Sequence, residues 1–202
     1  VTAAENLRRA LGLSTNDVVA LYSGNMGKKQ GLEILASIAR MAQTSAEAKE
    51  SRINFVFCGD GSGKEELVSA CRGMSNVSFL DLQPLELLPG LLHMADIHLL
   101  PQKPEVTDLV MPSKLTGMLA SGRPVVATAL DSSELAQVVK KFGKVVRPGD
   151  AESFFQAILL LAKDQDIRAR LGKDAAAYAS KSLDQSMILN QLEIDLMALI
   201  RP

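Results

Sequence analysis

The sequence contains no tryptophan, two histidines, two cysteines and only 4% aromatic residues. These shortages exclude several classes of protein. Cys58 and Cys71 form no disulfide framework and lack metal-ligand spacing, so both read as reduced core residues. Twenty-two basic residues face 23 acidic ones, for a net charge of −1. Without a broad basic field, nucleic acid is not an expected partner. No apolar run reaches membrane-spanning length, and there is no signal-peptide pattern, internal repeat or low-complexity tract. What remains, 47% hydrophobic and 22% charged over 202 residues, is the make-up of a globular soluble protein. The first residue is valine rather than methionine, which suggests a segment of a longer chain.

The most informative stretch runs from Asp108 through Pro112, Ser113, Lys114 and Leu115 to Gly122, Pro124 and Val126. It reads as loop, helix and strand. Pro112 has no N–H to lose in a first helical turn, and Ser113 can supply a capping oxygen. Leu115, Met118 and Leu119 recur at helical spacing, Gly122 suits the position past a helix end, and Val125–Val126 open a buried strand. A helix start bearing a hydroxyl and a lysine suits a phosphate. An ordinary capped helix with a solvated lysine has the same signature.

The rest of the chain supplies context. Residues 5–13 read as a lead-in helix. Asp17–Ser23 is an apolar run that fits a buried strand, followed by a loop, Gly24 to Gly31, with three glycines and two lysines. A helix carrying Leu32, Leu35, Ile38, Ala39 and Ala42 comes next, then a polar, exposed stretch from Ala46 to Ser51. Ile53–Cys58 is a second strand, closed by glycines at 59, 61 and 63, whose spacing is not the dinucleotide fingerprint. Val77–Leu80 and Ile97–Leu100 are further strands. They flank an apolar helix, Leu85 to Met94, in which Pro89 and Gly90 are potential breakers. Ser132–Phe142 (helix) and Lys144–Val146 (strand) follow. From Ala151 the pattern is helical only, with breaks expected near Gly172 and Ser182.

Short apolar strands alternating with helices predict a Rossmann-like parallel sheet covered on both faces, with a helical C-terminus. Such sheets bind ligands beyond the carboxyl ends of their strands. The glycines, the lysines and the Ser113 helix start all fall on that edge. An anionic ligand, most simply a nucleotide phosphate, is the expectation.

These residues resemble a family. Tyr22-Ser23-Gly24-Asn25, Lys29-Gln30-Gly31-Leu32-Glu33, Phe57-Cys58-Gly59-Asp60-Gly61, Ala95 to Pro101, and Pro112-Ser113-Lys114 through Thr128 follow the order of the donor-binding half of family-4 glycosyltransferases of the GT-B fold. The similarity extends over roughly residues 5–200 and is greatest to bacterial colanic-acid and O-antigen type enzymes. It implies that residues 1–202 are a single C-terminal domain that binds a nucleoside-diphosphate sugar. An N-terminal acceptor domain would complete the enzyme. The sugar would pass with retention to a saccharide or lipid-linked acceptor during polysaccharide synthesis. No cofactor or metal is implied. The location implied is cytoplasmic, peripheral to the inner membrane.

By that resemblance, Gly24, Asn25, Lys29, Gly59, Ser113, Lys114 and Leu115 surround the diphosphate, and Leu82 and Gln83 meet the base. Lys29 and Asp108 are the candidate catalytic residues. The chain departs from the family pattern in three places. Asn25 stands where many members have arginine, Gln30 where many have lysine, and Gly117 where many place the ribose-binding glutamate. Asp108 or Glu105 is the candidate replacement carboxylate, and both also fit solvated loop acids. His93 and His98 read as structural. Two other functions stay open. One is a non-catalytic nucleotide-binding module; the other is a sugar-nucleotide epimerase on the same fold.

Overall fold

The structure is a computed structural model that describes residues 2–103 and 111–182. Among these residues are six strands: β1 (Val18–Ser23), β2 (Ile53–Cys58), β3 (Val77–Leu80), β4 (Ile97–Leu100), β5 (Val125–Thr128) and β6 (Gly143–Val146). They form one sheet in the order β3-β2-β1-β4-β5-β6, with every neighbouring pair parallel. β1 lies between β2 and β4, so the winding reverses direction there. Beyond the carboxyl ends of β1 and β4 the connections diverge to opposite sides and leave a crevice.

Every residue of β1 is buried, as expected for a central parallel strand covered twice. Its side chains alternate. Val18, Ala20 and Tyr22 join one core cluster, and Val19 and Leu21 another. The first cluster is closed by α2 (Glu33–Thr44), α3 (Ala46–Glu50), α4 (Lys64–Ala70) and α8 (Ala151–Lys163). On the other face lie α1 (Ala3–Ala10) and α5 (Leu88–His93) over β1 and β2, and α6 (Lys114–Ala120) and α7 (Glu134–Phe142) over β4 and β5. α9 (Gln165–Ser182) packs along α6 and α7.

Four readings of the sequence need correction. The polar stretch after Thr44 is the short helix α3, started by the Ser45 hydroxyl accepting from Ala48 N–H, with Ala48 buried. The apolar segment from Leu85 begins as a 3-10 turn, Leu85–Leu87, and Pro89 falls in the first turn of α5, where its missing N–H costs nothing. The lead-in helix starts earlier than expected, at Ala3, because Thr2 and Glu5 form a reciprocal capping box. Gly172 does not break α9. It permits contact, because a Cβ there would lie 2.0 Å from the Gly122 carbonyl oxygen. The helical break comes instead at Asp164, whose carboxylate accepts from Ile167 N–H. The helical pattern expected beyond Ser182 lies outside the described residues. No described helix is long and apolar enough to cross a membrane.

Candidate functional site

A groove of about 410 Å³ opens at the crevice. Ser23 and Gly24 at the end of β1 and Cys58 at the end of β2 form its floor. Leu82 and Gln83 after β3 and leucines of α5 form one wall, and Ser113, Lys114 and Gly117 of α6 the other. The leucine wall is apolar and open to solvent, with Leu82 68% and Leu85 78% exposed. The Gln83 amide is fixed by donating to the Asp81 carbonyl at 2.9 Å.

The floor depends on two glycines. Gly24 has φ +127, a conformation that side chains resist. Gly59 passes so close beneath it that a Cβ at 59 would lie 1.9 Å from the Gly24 carbonyl oxygen. This approach fixes the path of the β1 loop, whose N–H at Gly24 donates to Cys58 O and whose N–H at Met26 donates to Asp60 O.

Lys114 is the cation in the groove. Its stem crosses the end of the sheet from α6 and reaches Tyr22, whose ring belongs to the opposite core cluster. The ammonium lies 4.5 Å from the centre of that ring and donates to the Tyr22 hydroxyl at 3.3 Å and to Gln30 Oε1 at 3.4 Å. All of these partners are neutral. Among the described residues no carboxylate pairs with Lys114, and burial alone lowers its pKa to about 8. Burial also raises the Cys58 thiol, which donates to the Asp81 carbonyl, so it stays protonated at neutral pH. At the rim, Asp81 pairs with Lys64 at 2.6 Å.

Of the residues singled out from sequence, the groove brings together Gly24, Leu82, Gln83, Ser113 and Lys114. Four of the remaining six do not line it. Lys29 is exposed on the 3-10 turn Lys28–Gln30, away from the groove lining. The Asn25 side chain lies against Gly61, and Gly59 is beneath the floor. Leu115 points into the core, and its N–H already donates to Pro112 O. Ser113 makes no side-chain cap, because its backbone is already helical. Ser113 lines the groove as an exposed residue. Glu105 and Asp108 lie outside the described residues.

Gly117 lines the groove opposite Leu92, whose Cδ1 would stand 3.2 Å from a Cβ there. α6 thus offers the groove a hydroxyl and an ammonium but no acid. Among the described residues no cluster of His, Cys, Asp or Glu could hold a metal. His98 is wholly buried away from the groove, with Nε2 2.9 Å from Ser121 Oγ, and burial lowers its pKa to about 3. His93 is exposed on α5, with Nδ1 2.8 Å from Pro89 O. The sequence reading missed Tyr22 and Gln30 as partners of Lys114. Their only signal was a tyrosine at the end of an apolar strand, where the buried hydroxyl must find a partner.

Comparison with known proteins gives consistent results. The family model described as glycosyl transferases group 1 matches residues 17–164. The chain is 36% identical over 198 residues to the putative colanic acid biosynthesis glycosyl transferase WcaI of Escherichia coli (strain K12), covering 94% of this chain and 46% of that protein. It is 28% identical to the D-inositol 3-phosphate glycosyltransferase of Corynebacterium urealyticum, covering 89% and 43%. It therefore spans less than half the length of these relatives. Among solved structures it superposes on Anabaena Alr3699/HepE in complex with UDP with TM-score 0.79 at 20% identity, covering 97% of this chain and 52% of that one. It also superposes on the C-terminal domain of the group 1 protein LpcC from Francisella tularensis, with TM-score 0.72 at 12% identity, covering 90% and 93%. At such identities these structures establish the fold.

Proposed function

The chain belongs to the group 1 glycosyl transferases, and from that premise we propose that it is the half of a retaining glycosyltransferase that binds a nucleoside-diphosphate sugar. The observation that carries this reading is Lys114, a half-buried ammonium in the groove that, among the described residues, is held by neutral oxygens alone. A cation desolvated without a counter-charge is costly unless a ligand supplies the charge. A diphosphate supplies it, and the open leucine wall at Leu82 and Leu85 suits the flat face of a base.

In the transfer, the acceptor oxygen bonds to the anomeric carbon as the bond from that carbon to the β-phosphate oxygen breaks. The acceptor proton leaves with the diphosphate. Negative charge grows on the departing group, so a cation fixed beforehand in a poorly solvated groove contributes most at that step. The acceptor is proposed to be a saccharide or lipid-linked saccharide in bacterial polysaccharide synthesis, a reading supported by the similarity to a protein named for colanic acid biosynthesis. Acceptor binding would belong to a second half, since the relatives are more than twice as long. The 202-residue chain alone is then expected to bind donor without transferring sugar, because positioning of the acceptor is missing.

Calorimetric titration of UDP, GDP and ADP against the chain tests the reading directly. Saturable binding of one of them, weakened by Lys114→Ala, supports it; no binding of any defeats it. Within the same reading Asp108 holds the ribose. Asp108→Ala then weakens the nucleoside diphosphate and spares pyrophosphate, and equal loss for both ligands removes the ribose role.

A further inference from the structure

The surroundings of Lys114 are more specific than a diphosphate site requires. Tyr22 is fully buried, and its hydroxyl donates to the Asn25 carbonyl at 2.6 Å. A phenol has one proton and two lone pairs. With its proton committed to Asn25, the oxygen faces Lys114 as an acceptor only, and the ammonium donates to it at 3.3 Å. The ring lies beneath the same ammonium, 4.5 Å from its centre. Gln30, at the end of the turn before α2, presents Oε1 from a second side at 3.4 Å. A lysine stem has four rotatable bonds and would otherwise sample many positions. Here it is held across the end of the sheet, by a strand residue of the opposite core cluster and a turn residue on that same side.

The chemistry of the holders is as informative as their geometry. A carboxylate at either place would form an ion pair and compete with a phosphate for the cation. Neutral oxygens orient the ammonium and leave its charge uncompensated. We infer that Tyr22 and Gln30 are positioning residues, a charge-free cradle that aims the Lys114 ammonium at the donor diphosphate and ties it to the Gly24–Gly27 loop. This inference rests on the donor-site reading. It adds that phosphate affinity is set by two residues that need not touch the ligand.

The test is a double-mutant cycle on the chain, with UDP and uridine as probes. Tyr22→Phe keeps the ring and removes the hydroxyl. It is expected to weaken UDP about three- to tenfold, the scale of one ordinary hydrogen bond, and to leave uridine unchanged. In a Lys114→Ala background the same substitution is expected to have no further effect, because the residue it positions is gone. The pH profile gives a second readout. Above about pH 8 wild-type UDP affinity is expected to fall as Lys114 loses its proton. In Tyr22→Phe this fall should begin at lower pH, since an acceptor that favours the charged form has been removed.

The other titratable groups at the groove do not mimic this limb. Burial holds Tyr22 and Cys58 protonated there, and Asp81 raises Lys64. Gln30→Leu lies on a surface turn and carries the test if Tyr22→Phe does not fold; it is expected to weaken UDP about threefold with the same dependence on Lys114. Equal weakening in the presence and absence of Lys114, or no weakening by either variant, overturns the cradle while leaving the donor site standing. UDP binding untouched by Lys114→Ala overturns the donor site itself, and the cradle with it.

Discussion

Arg8 and Lys114 occupy opposite ends of the β1–β4 junction, and their surroundings differ in kind. At the amino end, all three nitrogens of the Arg8 guanidinium donate hydrogen bonds. Its Nε donates to Met94 O, Nη1 to Ser14 O and Asp17 O, and Nη2 to Asp96 Oδ2 at 2.6 Å. The Asp96 carboxylate also accepts from Val19 N–H and so ties α1, β1 and the start of β4 together. At the carboxyl end, Lys114 has two long contacts to neutral oxygens and a ring face. A planar guanidinium shared between one carboxylate and three backbone carbonyls builds structure; an ammonium held by neutral oxygens is available to a ligand. The sheet supplies both from one junction, because its amino edge is closed by α1 while its carboxyl edge opens at the crossover.

The contrast fails if the two cations respond alike to removal. The largest expected effect is on Arg8→Ala, which leaves Asp96 unpaired. It should cost about 2–4 kcal/mol of stability, read from urea unfolding, with nucleoside-diphosphate affinity per folded molecule unchanged. A mild loss of stability with lost binding would reverse the assignment. Next is Lys114→Ala, expected to weaken the nucleoside diphosphate tenfold or more, about 1.4 kcal/mol, with the unfolding midpoint nearly unmoved.

Lys114→Met sharpens the comparison through pH. Burial lowers Lys114 from its ordinary 10.5 to about 8. Between those values the unfolded chain holds a proton that the folded chain has released, so this group makes stability rise with pH across that window. Below about pH 8 the fold bears the full cost of the desolvated ammonium. The methionine variant is therefore expected to be more stable than wild type at pH 7, with an advantage that shrinks between pH 8 and 10.5, as thermal unfolding would show. A variant less stable at pH 7 would mean that the cradle contacts outweigh desolvation. The smallest effect is expected for Lys29→Ala, because that side chain is exposed outside the groove. A change in affinity below about twofold fits such a site, whereas a loss matching that of Lys114→Ala would place Lys29 on the ligand.

Most of the sheet was readable in the amino-acid order, because β1, β2 and β4 are short apolar runs bounded by turn residues and are buried on both faces. The errors arose where a local signal met a contact it could not foresee. Gly172 has the composition of a break, yet α9 continues through it to pack on Gly122. Ser113 has the composition of a cap, yet its helical backbone takes its hydroxyl away from that role. Residues 46–50 are polar and still form a helix, because Ala48 reaches the core.

Composition, strand spacing and the glycine and lysine positions thus determined the class of fold and the edge at which the groove opens. Periodicity and turn chemistry act over a few residues, and a parallel sheet turns them into one topology. Which lysine lines the groove was decided only in three dimensions. Lys29 and Lys114 carry the same charge in similar loop-to-helix settings. The closure of β1 against β4 buries one beside Tyr22 and leaves the other in water, because a pairing between residues 92 positions apart has no local signal.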